Sequence, residues 1–447
     1  MKKEFLKLKG EIILIDNYLF PRAVQVNGIE GMVYPINSTG IMMLSLCDGT
    51  HRISDIIDYV AQKYNINEKI VKRDAKTFFE VKIKQNIVEL TDKCVQKNVD
   101  FRGREDVILP YQLSIETTNQ CQLKCKHCYN DSRIQRDNEL TTDELINILE
   151  QYKRLGGISV MLTGGEILLK DEVTRLLDYV AKNFLRVIIL TNGFYIKEEI
   201  FEKLRQYKEN LAIQISIDGL ANNHDYIRGV QGAYEKTIAN VKKLVNAGLT
   251  VSVASTLNEK NRNDIFDLTR IIKEIGCASI NIGAVASIGR AKESNISSVD
   301  VINNLKDTVK TLRSLYGNDE FIVGENIEEY DEATEVVEGI SYDNKCGAGY
   351  KILHLFADGK IGLCPSHGSI INKYWLGDLK KNSLEEILKF ENMKHLLSIP
   401  NPSKKLCGDC HLYDECAQCI VTMLNRNKDE CLLKGKVLDE KIIDMQE

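Results

Sequence analysis

Cys121-Gln-Leu-Lys-Cys125-Lys-His-Cys128-Tyr129 follows directly on the strand-like run Tyr111-Gln-Leu-Ser-Ile-Glu-Thr-Thr. Three thiolates at the spacing C-x3-C-x2-C can converge on one metal centre, because a short loop leaving a strand folds back around it. They are one short of the four that usually hold an iron–sulfur cluster. A four-iron cluster held this way keeps one iron open to a ligand from outside the protein. The competing readings are a zinc knuckle or chance clustering of cysteines, but zinc sites generally close with four ligands and favour C-x2-C pairs.

Working outward from this loop, the surrounding chain alternates. Pro110 and Pro365 bracket 254 residues without a proline, as expected of regular elements joined by polar and glycine turns. Strand candidates Tyr111–Thr117, Ser159–Thr163, Arg186–Leu190, Leu211–Ile217, Thr250–Thr256 and Ser279–Val285 are separated by helical patterns. One helix opens with the capping box Thr141-Thr-Asp-Glu144 and carries the core stripe Leu145, Ile148, Leu149, Tyr152 and Leu155. Six strand–helix units predict a parallel sheet with right-handed crossovers and ligands at the carboxyl ends of the strands. Those ends are polar: Thr163-Gly164-Gly165-Glu166 after the second, Thr191-Asn192-Gly193 after the third, and Gln214-Ile-Ser216-Ile-Asp218-Gly219 after the fourth. Paired glycines let backbone approach a ligand closely, although a Gly-Gly turn before a helix is common. Asp218-Gly also reads as a capped turn, and Arg228 as half of a surface salt bridge.

The cysteine loop and Tyr129 resemble the signature of the radical S-adenosylmethionine (AdoMet) superfamily, in which AdoMet binds the open iron through its amino and carboxylate groups. The resemblance implies a partial (β/α)6 barrel over residues 108–300, with Cys121, Cys125 and Cys128 as catalytic cluster ligands. It implies that Gly164-Gly165-Glu166 is the motif holding the methionyl ammonium and that Ser216 contacts the ribose. Asn192, Asp218 and Arg228 are further expected pocket residues.

Residues 1–95 read as a winged-helix-like domain: strands Glu11–Ile15, Ala23–Val26 and Met32–Ile36, helices Thr39–Leu46, Ile53–Tyr64 and Glu68–Lys84, and a closing strand Asn86–Leu90. Ile53, Ile56, Ile57, Val60 and Ala61 form one helix face. A DNA-reading module needs a basic face, yet from Arg52 to Lys93 nine Lys or Arg face seven Asp or Glu, which disfavours nucleic acid. Asn37-x3-Ile-x2-Leu-x3-Asp48-Gly49 resembles the PqqD-like recognition element of peptide-modifying enzymes, where a leader peptide adds as a strand to a sheet edge; a structural cap on the barrel is the plainer reading. Cys47 and Cys94 read as buried small hydrophobes, and Cys277 as packed.

After a bridging region, 301–345, with a helix at Val299–Leu315 and an acidic run Glu325–Glu338, seven cysteines follow: Cys346, Cys364, Cys407-x2-Cys410-x5-Cys416-x2-Cys419 and Cys431. Residues 346–447 resemble the SPASM domain of auxiliary clusters, with two residues rather than the usual three between the third and fourth clustered cysteines. The resemblance implies that Cys346, Cys364 and Cys419 hold one auxiliary cluster and Cys407, Cys410, Cys416 and Cys431 the other. Four ligands plus three would leave an iron of the first open to a substrate thiolate, unless a non-cysteine ligand closes it.

The fold class is therefore α/β, with three [4Fe-4S] clusters and AdoMet as expected cofactors. Thirteen cysteines in 447 residues suit metal ligands better than disulfides if the chain stays in the reducing cytoplasm. No run of 18 apolar residues and no signal region is present, so no membrane is expected, and a net charge of −5 does not attract nucleic acid. The whole resembles sactipeptide and ranthipeptide maturases: radical AdoMet enzymes that form intrapeptide thioether crosslinks in a ribosomally made precursor peptide, drawing on an external electron donor such as flavodoxin or ferredoxin. Carbon–carbon crosslinking or side-chain oxidation is the main alternative. A non-catalytic iron–sulfur carrier or peptide-binding scaffold belongs to a second class, and it would need neither the glycine motif nor an open iron.

Overall fold

A computed structural model of the chain describes residues 5–18, 21–27, 30–294, 296, 300–301, 304–325, 336–337, 340–341, 347–349, 351–370, 375–397, 407–408, 410–411, 419–425 and 431. The chain packs as two compact units. One comprises Met1–Leu109, Glu150–Ile158 and Leu388–Phe390; the other comprises Pro110–Leu149, Ser159–Ile387 and Glu391–Glu447.

The first unit holds β1 (Phe5–Leu8), β2 (Glu11–Asn17), β3 (Arg22–Asn27), β4 (Glu30–Pro35), α1 (Ser38–Ser45), β5 (Asp48–Arg52), α2 (Ile53–Tyr64), α3 (Glu68–Lys84), β6 (Val88–Thr91) and β7 (Asp100–Arg104). Its strands form two sheets, in the orders β5-β1-β6 and β4-β3-β2-β7. Ile12, Ile13, Leu14 and Ile15 of β2 are all buried, as a strand covered on both faces requires. Asn37 caps α1 by accepting from the Gly40 amide at 2.8 Å. The expected stripe of α2 is the buried one: Ile56, Ile57 and Val60 enter a core with Val71, Ala75 and Phe79 of α3, while Ile53 and Ala61 pack at its margin.

Three strands of this unit escaped the sequence reading. β1 is only four residues long, β5 is the polar run Asp-Gly-Thr-His-Arg, and β7 carries three charges in five residues; none offers enough apolar alternation to register. Cys47 is buried, and burial pushes its thiol far up from the usual range. Cys94 corrects its expectation, because it is exposed.

All six strands expected in the centre are present and parallel: β8 (Gln112–Glu116), β9 (Ser159–Thr163), β10 (Arg186–Thr191), β11 (Leu211–Ser216), β12 (Thr250–Leu257) and β13 (Ser279–Ala284). They lie side by side in chain order. Successive right-handed crossovers without a reversal keep the helices on one face, so such a sheet curls toward a barrel. It continues with the parallel strand Ile322–Glu325 beside β13, and with Ile352–Leu355 parallel to β8, followed by two short antiparallel strands. The Thr141 capping box forms, its amide donating to Glu144 at 2.7 Å and Glu144's amide donating back at 3.2 Å. The helix expected at Val299–Leu315 spans Leu305–Tyr316. Most of the acidic run from Glu325 to Glu338, and Cys346 and Cys416, lie outside the described residues. Among the described residues no helix is long and apolar enough to cross a membrane.

Candidate functional site

A cavity of about 300 Å³ opens at the carboxyl ends of the strands in the second unit. Cys121, Cys125 and Cys128 line one side. Gly164, Gly165, Asn192, Ser216 and Thr256 line the strand ends, and Ser114, Met161, Leu190 and Ala254 form the floor. Tyr129 and Arg228 also reach it. The loop that carries the cysteines is therefore the loop of the cavity.

Each of the three sulfurs has at least one nitrogen donor beside it, and Cys121 also has the Leu123 amide. Asn192 Nδ2 donates to Cys121 Sγ at 3.8 Å, Arg228 Nη1 to Cys125 Sγ at 3.7 Å, and the Ser132 amide to Cys128 Sγ at 3.4 Å. Burial pushes the Cys121 thiol up to about 12 and also raises Cys125, which the Arg228 cation partly offsets. A coordinated metal, as a strong cation, offsets this cost and favours the thiolate. N–H donors to cluster sulfurs also set a cluster's potential. The donor set thus suits an iron–sulfur centre. Among the described residues, no group of three His, Cys, Asp or Glu side chains is gathered closely enough for a single metal ion.

The two glycines serve the loop. Gly164 has φ +145, and a Cβ on it would lie 2.5 Å from the Thr118 carbonyl; one on Gly165 would lie 2.4 Å from the Gln120 carbonyl. The Gly165 and Glu166 amides donate to those same carbonyls at 2.7 and 2.8 Å. The close approach is therefore of β9's end to the start of the cysteine loop, and these two amides are taken up there rather than presented to a ligand. Glu166 does not line the cavity. Its carboxylate accepts from the Leu168 amide, the Thr191 hydroxyl and the Asn192 amide at 3.0, 2.7 and 2.8 Å. Burial raises its pKa despite these bonds. It ties the end of β9 to the end of β10 and so positions Asn192.

Asp218 is fully buried behind the cavity wall, not in it. Its Oδ2 meets Arg228 Nη2 at 2.8 Å and His127 Nε2 at 3.3 Å, and its Oδ1 accepts from the Thr256 amide at 2.8 Å. Burial pushes this carboxyl up, but the Arg228 and His127 contributions together hold it below the usual carboxylate range. The Asp218–Arg228 pair is thus an internal one that aims the guanidinium at Cys125, neither a surface salt bridge nor a simple turn cap. Tyr129 Oη donates to Glu116 Oε1 at 3.4 Å. Glu116 in turn lies 3.3 Å from His354 Nε2, whose Nδ1 is 3.0 Å from Ser114 Oγ.

Two site residues were missed. His127 lines the cavity, and burial lowers its pKa to about 4; an imidazole directly before the third cysteine was its signal. Arg290 clamps the loop, its Nε donating to the Cys125 carbonyl at 2.7 Å and its amide to the Cys128 carbonyl at 3.0 Å. The preceding Gly289 has φ +51, with room for no Cβ against the Cys128 carbonyl. A Gly-Arg pair just past the sixth strand could have been read.

In the C-terminal segment, Cys364, Cys407, Cys419 and Cys431 pack around one small apolar core of Ala348, Leu363, Ile420, Val421, Met423 and Leu424. The Cys410 amide donates to the Cys407 carbonyl at 3.1 Å. Pro365, next to Cys364, lines the cavity, so this segment reaches the same site.

Known proteins resemble the chain in all three regions. Residues 115–272 match the Radical SAM superfamily, residues 22–88 match coenzyme PQQ synthesis protein D, and residues 346–419 match the SPASM iron–sulfur cluster-binding domain. The antilisterial bacteriocin subtilosin biosynthesis protein AlbA of Bacillus subtilis is 26% identical, over 77% of this chain and 75% of its own. The sporulation killing factor maturation protein SkfB of the same species is 27% identical, over 66% and 69%. Streptococcus suis SuiB, in a crystal structure bound to S-adenosylmethionine, shares the fold with a TM-score of 0.67 at 17% identity, covering 95% of this chain and 98% of that one. The matched domains imply [4Fe-4S] clusters and S-adenosylmethionine as cofactors. With its cysteine loop after the first strand of a parallel sheet, its N-terminal helix–strand module and its cysteine-rich tail, the chain carries a radical SAM domain together with PqqD-like and SPASM domains.

Proposed function

We propose that the protein is a peptide maturase that joins a cysteine sulfur to a carbon of the same ribosomally made precursor peptide, forming an intrapeptide thioether. The observation that carries this reading is the cavity with three cysteines on one wall and the C-terminal cysteine segment reaching it at Pro365. AlbA and SkfB, by name a biosynthesis and a maturation protein for peptide products, support it. A reduced cluster and AdoMet, when bound, supply a 5'-deoxyadenosyl radical that takes hydrogen from an unactivated carbon.

The chain's own residues have definite tasks in this scheme. Cys121, Cys125 and Cys128 hold the cluster, with Asn192, Arg228 and the Ser132 amide steadying their sulfurs. Gly164, Gly165, Ser216, Asn192 and His127 surround the nucleotide, and Asp218 and Glu166 act from behind by fixing Arg228 and Asn192. Cys346, Cys364 and Cys419 hold one auxiliary cluster and Cys407, Cys410, Cys416 and Cys431 the other. The PqqD-like domain takes the leader of the precursor, and the fold relative SuiB, crystallised bound to its precursor peptide SuiA, supports a precursor peptide as partner. Electrons come from an external low-potential carrier such as flavodoxin or ferredoxin, and the reaction belongs in the cytoplasm.

The test is to incubate the anaerobically reconstituted, reduced enzyme and AdoMet with a cysteine-bearing peptide encoded beside it. The expected product is lighter by two hydrogens per link and has lost the corresponding iodoacetamide-reactive thiols. A product of the same mass whose thiols all still alkylate would instead be a carbon–carbon crosslink and would overturn the thioether assignment.

A further inference from the structure

The middle of the cysteine loop is strapped along the last turn of the helix Ala221–Arg228. The Lys124 amide donates to the Arg228 carbonyl at 3.0 Å and the Lys126 amide to the Ile227 carbonyl at 2.8 Å. Gly229, at φ +70, is required beside them, because a Cβ there would lie 2.6 Å from the Lys124 carbonyl. This strapping buries Cys125 and turns its two neighbours outward. Lys124 is exposed. Lys126 Nζ sits 4.6 Å from the centre of the Tyr226 ring, and Lys260 Nζ, from the turn after β12, sits 5.6 Å from the same ring. Tyr226 itself is 45% exposed.

The two ammonium groups that share this exposed ring repel one another, only part of that cost is met by the ring quadrupole, and the exposed Lys124, two residues before Lys126, adds a third positive charge to the same stretch of loop. Among the described residues none of the three has a carboxylate partner. The acidic groups of the surrounding elements are engaged elsewhere: Asp225 accepts from the Gly232 and Tyr234 amides, Asp264 from the Leu220 amide and the Asn223 side chain, and Glu259 pairs with Arg262 at 3.7 Å. On a chain of net charge −5 this is a local patch of opposite sign, suited to orient an acidic partner rather than to attract anions generally. Its position narrows the partner further. Cys125 is the residue between Lys124 and Lys126, so the patch is the outer face of the loop that presents the three sulfurs inward.

We propose that Lys124, Lys126, Lys260 and Tyr226 form the docking surface for an acidic one-electron carrier protein that reduces the centre behind Cys125. The inference rests on the radical AdoMet reading of the cavity. In the step it serves, the carrier loses one electron and the enzyme gains it; no bond or proton moves.

The test compares the wild-type holoenzyme with the Lys124→Glu, Lys126→Glu, Lys260→Glu triple variant, using a reduced acidic flavodoxin as probe and dithionite as control reductant. Titration calorimetry measures flavodoxin binding at about 20 mM and about 300 mM salt, which span weak and strong screening, and 5'-deoxyadenosine is quantified in parallel. The expected result is a loss of binding and of flavodoxin-driven turnover of about tenfold or more at low salt, with the salt dependence abolished. Iron content and dithionite-driven turnover stay unchanged. Unaltered flavodoxin binding overturns the proposal. So does an equal loss with dithionite together with lost iron, which would make the lysines part of the loop's scaffold, or a raised KM for the precursor peptide under dithionite, which would make the patch a peptide site. If the wild type forms no 5'-deoxyadenosine with dithionite, the reading of the reaction fails, and the calorimetry still decides the docking surface.

Discussion

Glu166 ties the ends of two neighbouring strands together beside the cavity. Its carboxylate accepts two hydrogen bonds at Oε1, from the Leu168 amide and the Thr191 hydroxyl, and one at Oε2, from the Asn192 amide. Glu166→Gln would point an N–H at an N–H or O–H donor on one side and leave a buried donor unsatisfied, a loss of about 1–3 kcal/mol. We expect a lower melting temperature and, through a displaced Asn192, weaker AdoMet binding by calorimetry. His224 offers a pH test. Its Nδ1 accepts from the Asp218 amide at 3.1 Å, which requires the neutral ring, and burial lowers its pKa to about 4. The unfolded chain, titrating near 6.5, binds this proton first, so stability falls as pH drops from about 6.5 toward 4, by up to roughly 3 kcal/mol from this group. In His224→Asn, whose amide oxygen can accept in place of Nδ1, the melting temperature should decline less steeply over that window. At this scale the cysteines were legible because chemistry fixes their spacing. His127 and Arg290 were not weighed, because their roles depend on contacts with Asp218 and with the Cys125 carbonyl, far away in the chain.

The end of β9 and the cysteine loop behave as a single element. Gly165 sits where a Cβ would press on the Gln120 carbonyl, which the Glu166 amide also holds. Gly165→Ala should therefore displace the loop from its first turn and leave the C-terminal cysteines untouched. Iron bound after reconstitution should fall by about a third, one cluster in three, and 5'-deoxyadenosine formation should collapse, as read by iron assay and chromatography. The six central strands were legible because their apolar residues alternate and turn residues bound them. β1, β5 and β7 were not, being short or polar and held by pairing with strands distant in sequence.

Across the whole molecule, the order of modules could be read from the chain: a helix–strand module, a parallel strand–helix series, then a cysteine-rich tail. The membership of Glu150–Ile158 and Leu388–Phe390 in the N-terminal unit could not, because it depends on packing between segments up to hundreds of residues apart. In that unit, among the described residues, β4 pairs only with β3, and its other edge carries exposed Met32 and Val33. If a leader strand adds there, Met32→Lys with Val33→Asp should weaken leader-peptide binding about tenfold, measured by fluorescence anisotropy, while AdoMet cleavage with dithionite proceeds as before.

The account stands or falls on the centre held by three thiols. The most direct measurement is 5'-deoxyadenosine produced after anaerobic reconstitution, reduction with dithionite and addition of AdoMet, in the wild type and in the Cys121→Ala, Cys125→Ala, Cys128→Ala triple variant. We predict multiple equivalents from the wild type and none from the variant, which should keep the iron of its C-terminal cysteines. A wild type that binds iron yet releases no 5'-deoxyadenosine, or a variant that releases as much as the wild type, would contradict it.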